Sequence, residues 1–442
     1  MITFDELNLN KPLLKALDEI GYIYPTPVQE KVFPVIMSGK NVTGIAQTGT
    51  GKTIAYLLPI LRQLKYSEQI QPRVLILVPT RELVIQVVKE LSTLTTYMSI
   101  RFGGVYGGSN MSSQKELVVR GLDVLVATPG RLMDLALNGV LRLSSVQQLV
   151  IDEVDEMLNL GFRSQLTNLM DKLPKRRQNL LFSATLSEDV EKLIHEYVLD
   201  PQKIEITPQG TPLEKIIQLV YKVQNFNTKI ALLEHLLNTQ AEMSKVLVFV
   251  KSRKMGDELY SRISEKFPEK VGIIHSNKSQ PQRFKAIRKF DEGSHRVLIA
   301  TDIIARGLHM SDITHVLNFD IPDVAGDYMH RIGRTGRSDT TGTAISFVSP
   351  WEDLFQEAIE VFMKKRITEL PFPPEVKVST VYTEEEKPSM SGKGSGRSKA
   401  LKETQGAFHE KKDKNKKVNL GGPGKRYAKT GSVRSAKKKK RY

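Results

Sequence analysis

The chain of 442 residues has no cysteine and a single tryptophan. Without cysteine there is no disulfide, no thiolate zinc site and no cysteine nucleophile, which fits a reducing compartment. No window approaches 18 apolar residues, and Met1-Ile-Thr-Phe-Asp-Glu6 has no basic stretch leading into an apolar one. A membrane span and a secretory leader are therefore not expected, and the expected location is cytoplasmic.

Acidic excess is also lacking: 65 Lys and Arg face 49 Asp and Glu, a net charge of +16. That charge is unevenly spread. Residues 376–442 hold 20 basic and 6 acidic residues, or +14, which leaves +2 for residues 1–375. This last stretch is rich in Gly, Ser and Lys, poor in large aliphatic residues, and ends in Ala436-Lys-Lys-Lys-Lys-Arg-Tyr442. Such a composition predicts a disordered tail from 376 to 442. It would anchor nucleic acid by counterion release, with Phe408, Tyr427 and Tyr442 available to stack on bases. A solubilising tail and a nuclear import signal are the alternatives.

What is present begins with Leu149-Val-Ile-Asp152-Glu153-Val154-Asp155, an apolar run followed at once by three carboxylates. A strand end so rich in acids calls for a cation. About 100 residues earlier stands Ala46-Gln47-Thr48-Gly49-Thr50-Gly51-Lys52-Thr53. Its glycines let backbone N–H groups curl around phosphates while Lys52 supplies charge. Together the two runs read as a nucleoside triphosphatase. Lys52 would reach the β- and γ-phosphates, Thr53 and Asp152 would hold Mg²⁺, and Glu153 would position or deprotonate the attacking water. Taken singly, each run also reads as an ordinary Gly-rich turn or an acidic strand end.

Short β-rich runs recur at Val74–Val78, Val124–Ala127, Leu149–Ile151, Leu180–Phe182, Val246–Val250, Val297–Ala300, His315–Asn318 and Thr343–Phe347, with amphipathic segments between them. This alternation predicts an α/β chain with doubly wound parallel sheets. The spacing breaks at Thr207-Pro-Gln-Gly-Thr-Pro212, so one domain is expected at 1–206, a linker at 207–212 and a second domain at 213–375. Ligands of such sheets sit beyond the carboxyl ends of the strands. Polar groups fall there at Pro79-Thr80-Arg81-Glu82, Thr128-Pro129-Gly130-Arg131, Asp152-Glu153, Ser183-Ala184-Thr185 and Thr301-Asp302. The second domain adds His330-Arg331-Ile332-Gly333-Arg334-Thr335-Gly336-Arg337. Arginine suits phosphate because its planar fork donates two hydrogen bonds and keeps its charge. If Arg334 and Arg337 reach the γ-phosphate across a cleft, hydrolysis requires the two domains to close.

These clusters, in this order, resemble the motifs of the DEAD-box family of ATP-dependent RNA helicases over nearly all of residues 1–350. The resemblance implies two tandem RecA-like domains and an RNA-dependent ATPase. It includes an adenine-recognition element, Gly21-Tyr22-Ile-Tyr-Pro25-Thr26-Pro27-Val-Gln29, with Phe4 seventeen residues before its first glycine. A Gln amide can pair with both donor and acceptor edges of adenine, so Gln29 implies ATP over GTP, and Phe4 would cover the ring face. By the same resemblance, Arg81, Gly108, Thr128, Arg131, Gln280, Arg283 and Thr301 contact an RNA backbone, with little sequence preference. Ser183 and Thr185 would bond to the acidic motif, Asp155 would meet His330 across the cleft, and Asp302 belongs to the same coupling set.

Three positions depart from the family pattern. Val154 stands for the Ala of the acidic motif, Ser276 for the Gly after His275, and the Arg-Gly-x-Asp segment reads Arg306-Gly307-Leu308-His309. The last implies a weaker or altered grip on the ribose. The implied mechanism is cooperative binding of ATP and single-stranded RNA, with closure bending one strand and so opening a short duplex locally. The resemblance extends to bacterial family members with basic tails, in ribosome assembly, RNA decay or cold adaptation. A monomer without membrane association is expected. The competing readings are a DNA-directed motor and a non-catalytic RNA scaffold that uses ATP as a clamp.

Overall fold

The structure, a computed structural model, describes residues 2–46, 50–206, 216–302, 310, 312–336, 341–383 and 386. The first half forms β1 (Val42–Ile45), β2 (Val74–Leu77), β3 (Phe102–Val105), β4 (Val124–Ala127), β5 (Gln148–Ile151), β6 (Gln178–Ser183) and β7 (Gln202–Glu205). These pair in the order β3-β4-β2-β5-β6-β1-β7, with every pairing parallel. The second half forms β8 (Ile216–Lys222), β9 (Val246–Phe249), β10 (Val271–Ile274), β11 (Val297–Ala300), β12 (His315–Asn318), β13 (Gly342–Val348) and β14 (Thr368–Glu369). Their order is β10-β11-β9-β12-β13-β8-β14, again all parallel. Counted from its own first strand, the second sheet repeats the order of the first. The chain is two copies of one doubly wound architecture.

Alternation along each strand explains why both faces are covered. Val74 and Ile76 belong to one apolar cluster, while Leu75 and Leu77 belong to the cluster on the other face. In the second sheet Val246 and Val248 face one cluster, and Leu247 and Phe249 the other. A parallel sheet needs helices on both faces, so its central strands read as continuous apolar runs. All eight runs marked in the sequence are strands.

Six further strands carry weaker signals, for two reasons. β3, β7, β10 and β14 are the sheet edges, where fewer apolar neighbours are required and residues such as Gln202 and Lys203 stay exposed. β1 lies inside its sheet but carries Gly44, whose missing side chain makes room for Phe182: a Cβ there would lie 2.6 Å from Phe182 Cδ1. β8, also internal, alternates buried and exposed positions along Ile216-Ile217-Gln218-Leu219.

The expected start of a disordered tail at 376 is corrected by the packing of residues 376–386. Val376 is buried in the second core. Asn225 and Asn227 donate to the carbonyls of Ser379 (2.5 Å) and Val381 (2.7 Å), Ser379 N–H donates to Thr228 Oγ1 (2.9 Å), and Glu386 accepts from Phe226 N–H (2.6 Å). An extended segment with few apolar side chains stays bound when its backbone groups find such partners. The expected linker 207–212 and the rest of the tail lie outside the described residues. Among the described residues no helix is long and apolar enough to cross a membrane.

Candidate active site

β1 ends at Ala46, and the helix Lys52–Gln63 opens at Gly51, which adopts φ +88°. That left-handed turn favours glycine, and a Cβ at Gly51 would lie 2.5 Å from Gln29 Nε2. Gln47, Thr48 and Gly49 lie outside the described residues, while Thr50 and Thr53 flank the start of the helix. Lys52 is buried and donates to the Ala46 carbonyl at 2.8 Å, so its ammonium closes over the strand end. Gln29 is also buried. Its Oε1 accepts from Thr26 N–H (2.9 Å), as the cap of helix Pro27–Met37, and its Nε2 donates to the Gly51 carbonyl (3.2 Å). The amide expected to read adenine is thus tied to the loop that would cradle the phosphates. Phe4, expected to cover the base, is packed in the first core instead, whereas Tyr22 and Tyr24 are exposed beside Gln29's helix.

β5 carries Asp152 to the carboxyl edge, where it is buried and accepts from Tyr56 Oη (3.1 Å) and from Glu153 N–H (2.9 Å). Burial, opposed by Lys52 and reinforced by the charge of Glu153, pushes Asp152 up to about 6. Burial and the Asp152 charge likewise push the Tyr56 phenol well up. Tyr56 escaped sequence reading, although it lies four residues after Lys52, one helical turn along the same helix. Glu153 takes the left-handed conformation (φ +53°, ψ +52°) at the start of helix Val154–Asn159. For a residue with a Cβ this costs roughly 1–2 kcal/mol, and strain of this kind clusters at functional sites.

Asp155, one turn further, joins three segments. Its Oδ2 accepts from Ala184 N–H (3.2 Å), Thr185 N–H (2.9 Å) and Thr185 Oγ1 (2.8 Å), and lies 3.6 Å from His330 Nε2. Burial would raise its pKa, but the bond and charge of His330, the charge of Lys52 and the Thr185 hydroxyl hold it well below the usual carboxylate range. Ser183 differs from expectation: its hydroxyl donates to the Thr185 carbonyl (2.7 Å), bracing the turn rather than bonding to the acidic motif.

In the second half, Arg331 on helix Ala325–Ile332 donates to both oxygens of Asp302 (2.6 Å each) and to Asn318 Oδ1 (3.2 Å) and the Asp320 carbonyl (2.5 Å). Asp302, expected to couple the halves, is therefore spent within its own half. Arg334 follows the helix end and is buried. Arg337 and the segment Arg306–His309 lie outside the described residues.

The cations expected to face RNA are engaged with protein. Arg81, on the first turn of helix Arg81–Leu94, donates to Gln280 Oε1 (2.7 Å), and Glu82 forms a buried ion pair with Arg283. Both pairs bridge the two halves. Gly108 sits at φ +77°, where a Cβ would collide with the Arg81 guanidinium. Arg131 is buried and donates to Gln114 Oε1 (3.1 Å) and the Ser109 carbonyl (3.3 Å). Thr128 is the buried N-cap of helix Pro129–Leu137, and Thr301 stands half-buried at the end of β11. Arginine spacing alone could not reveal these protein partners, since they come from the opposite sheet or a distant turn.

Among the described residues no group of three His, Cys, Asp or Glu could close around a metal. The donors on offer are a buried Asp152 carboxylate, raised for want of an opposing charge beyond Lys52, and the Thr53 hydroxyl. Hard oxygens with most positions left to phosphate and water fit Mg²⁺.

The residues match known proteins in two blocks: the DEAD/DEAH box helicase family over 26–193 and the helicase conserved C-terminal domain over 228–339. The chain is 37% identical over 368 residues to the ATP-dependent RNA helicase RhlB of Shewanella denitrificans, covering 81% of this chain and 84% of that protein. It is 39% identical over 374 residues to the ATP-dependent RNA helicase CshA of Listeria monocytogenes, covering 84% and 71%. The solved structure of S. cerevisiae Dbp5 bound to RNA and ADP BeF3 matches with a TM-score of 0.76 at 29% identity, covering 84% of this chain and 95% of that one. Mss116p bound to ssRNA and AMP-PNP gives 0.78 at 28% identity, covering 85% and 80%. The two sheets are tandem RecA-like domains. The chain belongs to the DEAD-box family of ATP-dependent RNA helicases.

Proposed function

We propose that this enzyme hydrolyses ATP at the loop formed by Ala46, Gln47, Thr48, Gly49, Thr50, Gly51, Lys52 and Thr53, and uses closure of its two halves to open short RNA duplexes locally. The single observation that carries this reading is Asp155. One carboxylate in the acidic turn is bonded to Thr185 and stands 3.6 Å from His330 of the second half, so the hydrolytic residues share their framework with the interdomain contact.

Lys52 would leave the Ala46 carbonyl for the β- and γ-phosphates, and Glu153 would orient and accept a proton from water. Asp152 and Thr53 would hold Mg²⁺, which supplies charge neutralisation on the phosphates. Arg334 and Arg337 would complete the site from the second half when the cleft is closed. Gln29 favours ATP, with Tyr22 beside it. Phe4 would need to leave the core to cover the base.

Arg81, Gly108, Thr128 and Arg131 in the first half and Gln280, Arg283 and Thr301 in the second are the residues we assign to the RNA backbone. Arg81, Gln280 and Arg283 would exchange their mutual contacts for phosphate, which links RNA binding to the relative placement of the halves. The basic tail would raise the local concentration of structured RNA. Work on ribosomal particles or in RNA decay, in the cytoplasm, fits these properties.

Steady-state ATP hydrolysis, measured without nucleic acid, with single-stranded RNA and with matching DNA, tests the reading against Glu153→Gln as blank. Stimulation by RNA alone, lost in the blank, is expected. Equal stimulation by DNA would replace the RNA enzyme with a DNA motor, and turnover no higher than the blank would leave a clamp.

A further inference from the structure

The helix Asp353–Met363 buries Gln356, Ile359 and Met363 against the second domain. Its other side is apolar as well. Trp351, at the turn leading into it, is 51% exposed, Leu354 73% and Val361 77%, and Ala358 between them is exposed too. Positions 351, 354, 358 and 361 follow the helical period, so they form one stripe along a single face. Isolated exposed apolar side chains are ordinary, but a contiguous stripe holding the chain's only tryptophan marks a contact surface.

The charges flanking the stripe are ordered along the axis. Asp353 and exposed Glu357 lie toward the start, and exposed Lys364, Lys365 and Arg366 lie at the end. Such a face complements a copy of itself turned by a two-fold axis: antiparallel stripes place each acidic half against the other's basic end. Parallel stripes would set like charge against like. Antiparallel helix dipoles also attract, and Ala358 near the middle lets the axes approach to roughly 8–10 Å. The chain's own tail is a poorer occupant. Residues 387–442 offer only Leu401, Val418, Leu420 and Val433 as aliphatic β-branched or leucine side chains, and their lysines would meet Lys364–Arg366.

We infer that this face joins two copies of the chain through antiparallel pairing of their 353–363 helices about Ala358. An 11-residue helix is about 16 Å long. A stripe of that length falls short of the roughly 1,200–2,000 Å² of a stable standard interface, so the dimer is weak and concentration-dependent.

Sedimentation velocity of the full chain, freed of RNA by nuclease, tests this over about 1 to 200 µM. The mass should rise from 49.8 kDa toward twice that value, and acrylamide quenching of Trp351 should fall in parallel. Val361→Glu, at an exposed position, should weaken association at least tenfold with an unchanged melting temperature. Glu357→Lys should weaken it too, and adding Lys364→Glu with Lys365→Glu should restore it. A monomer at every concentration, a dimer indifferent to Val361→Glu, or Trp351 shielded in the monomer would each overturn the proposal.

Discussion

Arg283 and Glu82 form an ion pair between the two halves of the molecule, and both side chains are buried. A buried pair of this kind is costly to break from one side, because the remaining charge is left without a partner. The same residues sit where an RNA backbone is expected. The clasp therefore holds the halves together without RNA and has to be exchanged when RNA arrives.

Arg283→Ala should strand Glu82 and cost the closed arrangement about 3–5 kcal/mol, whereas the double variant with Glu82→Ala should recover part of that loss. Fluorescence transfer between labels on the two halves, recorded with and without RNA, reads the effect. Additive losses would show that the pair contributes nothing of its own.

The contact between His330 and Asp155 predicts a pH limb. Burial alone would lower the His330 pKa, but the bond and charge of Asp155, with Glu156 and Glu153, hold it above the ordinary value of 6.5. A raised value means that the pair stabilises closure fully below the ordinary histidine pKa and loses this as pH rises through the raised one. Asp155, held low, loses its contribution only in strong acid. RNA-stimulated turnover should therefore fall on the alkaline side, and His330→Gln should flatten that limb. A limb that persists in His330→Gln belongs to another group.

Tyr56→Phe deletes the hydroxyl that donates to Asp152 and leaves the ring against Phe182. Partners that orient a metal-binding carboxylate are typically worth about tenfold or more in metal affinity. The Mg²⁺ concentration for half-maximal turnover should rise by about that factor, with thermal stability changed by no more than about 1.5 kcal/mol. An unchanged Mg²⁺ dependence would place Tyr56 in a purely structural role.

Gly51→Ala should impair nucleotide binding rather than folding. The added Cβ meets Gln29 Nε2 at a backbone conformation that costs a non-glycine residue about 1–2 kcal/mol. The Michaelis constant for ATP should rise, and the preference for ATP over GTP should shrink as Gln29 is displaced. Intact selectivity would separate Gln29 from base recognition.

Two truncations distinguish the ordered strap from the tail. Ending the chain at 386 should leave the melting temperature in place and raise the Michaelis constant for RNA. Ending it at 375 removes Val376 from the core and the partners of Asn225, Asn227 and Thr228, so the second domain should melt several degrees lower. Equal melting for both would mean that the strap adds no stability.

The sequence by itself determined the α/β class, the two-part organisation and the nucleotide site, because these depend on short-range patterns. Central strands must be apolar on both faces, and a phosphate loop needs glycine, lysine and threonine at fixed local spacing. Asp152, Glu153 and Lys52 were legible for that reason. Tertiary structure alone decided the rest. Edge strands β3, β7, β10 and β14 need little apolar surface, and so carried weak signals. Tyr56 became a partner of Asp152 only when β5 was brought beside the helix after β1. Arg331 differs from Arg334 because the fold places Asp302, Asn318 and the Asp320 carbonyl around it. Residues 376–386 look like tail by composition, yet they are held by side chains about 150 residues away, whose donors a sequence pattern cannot register.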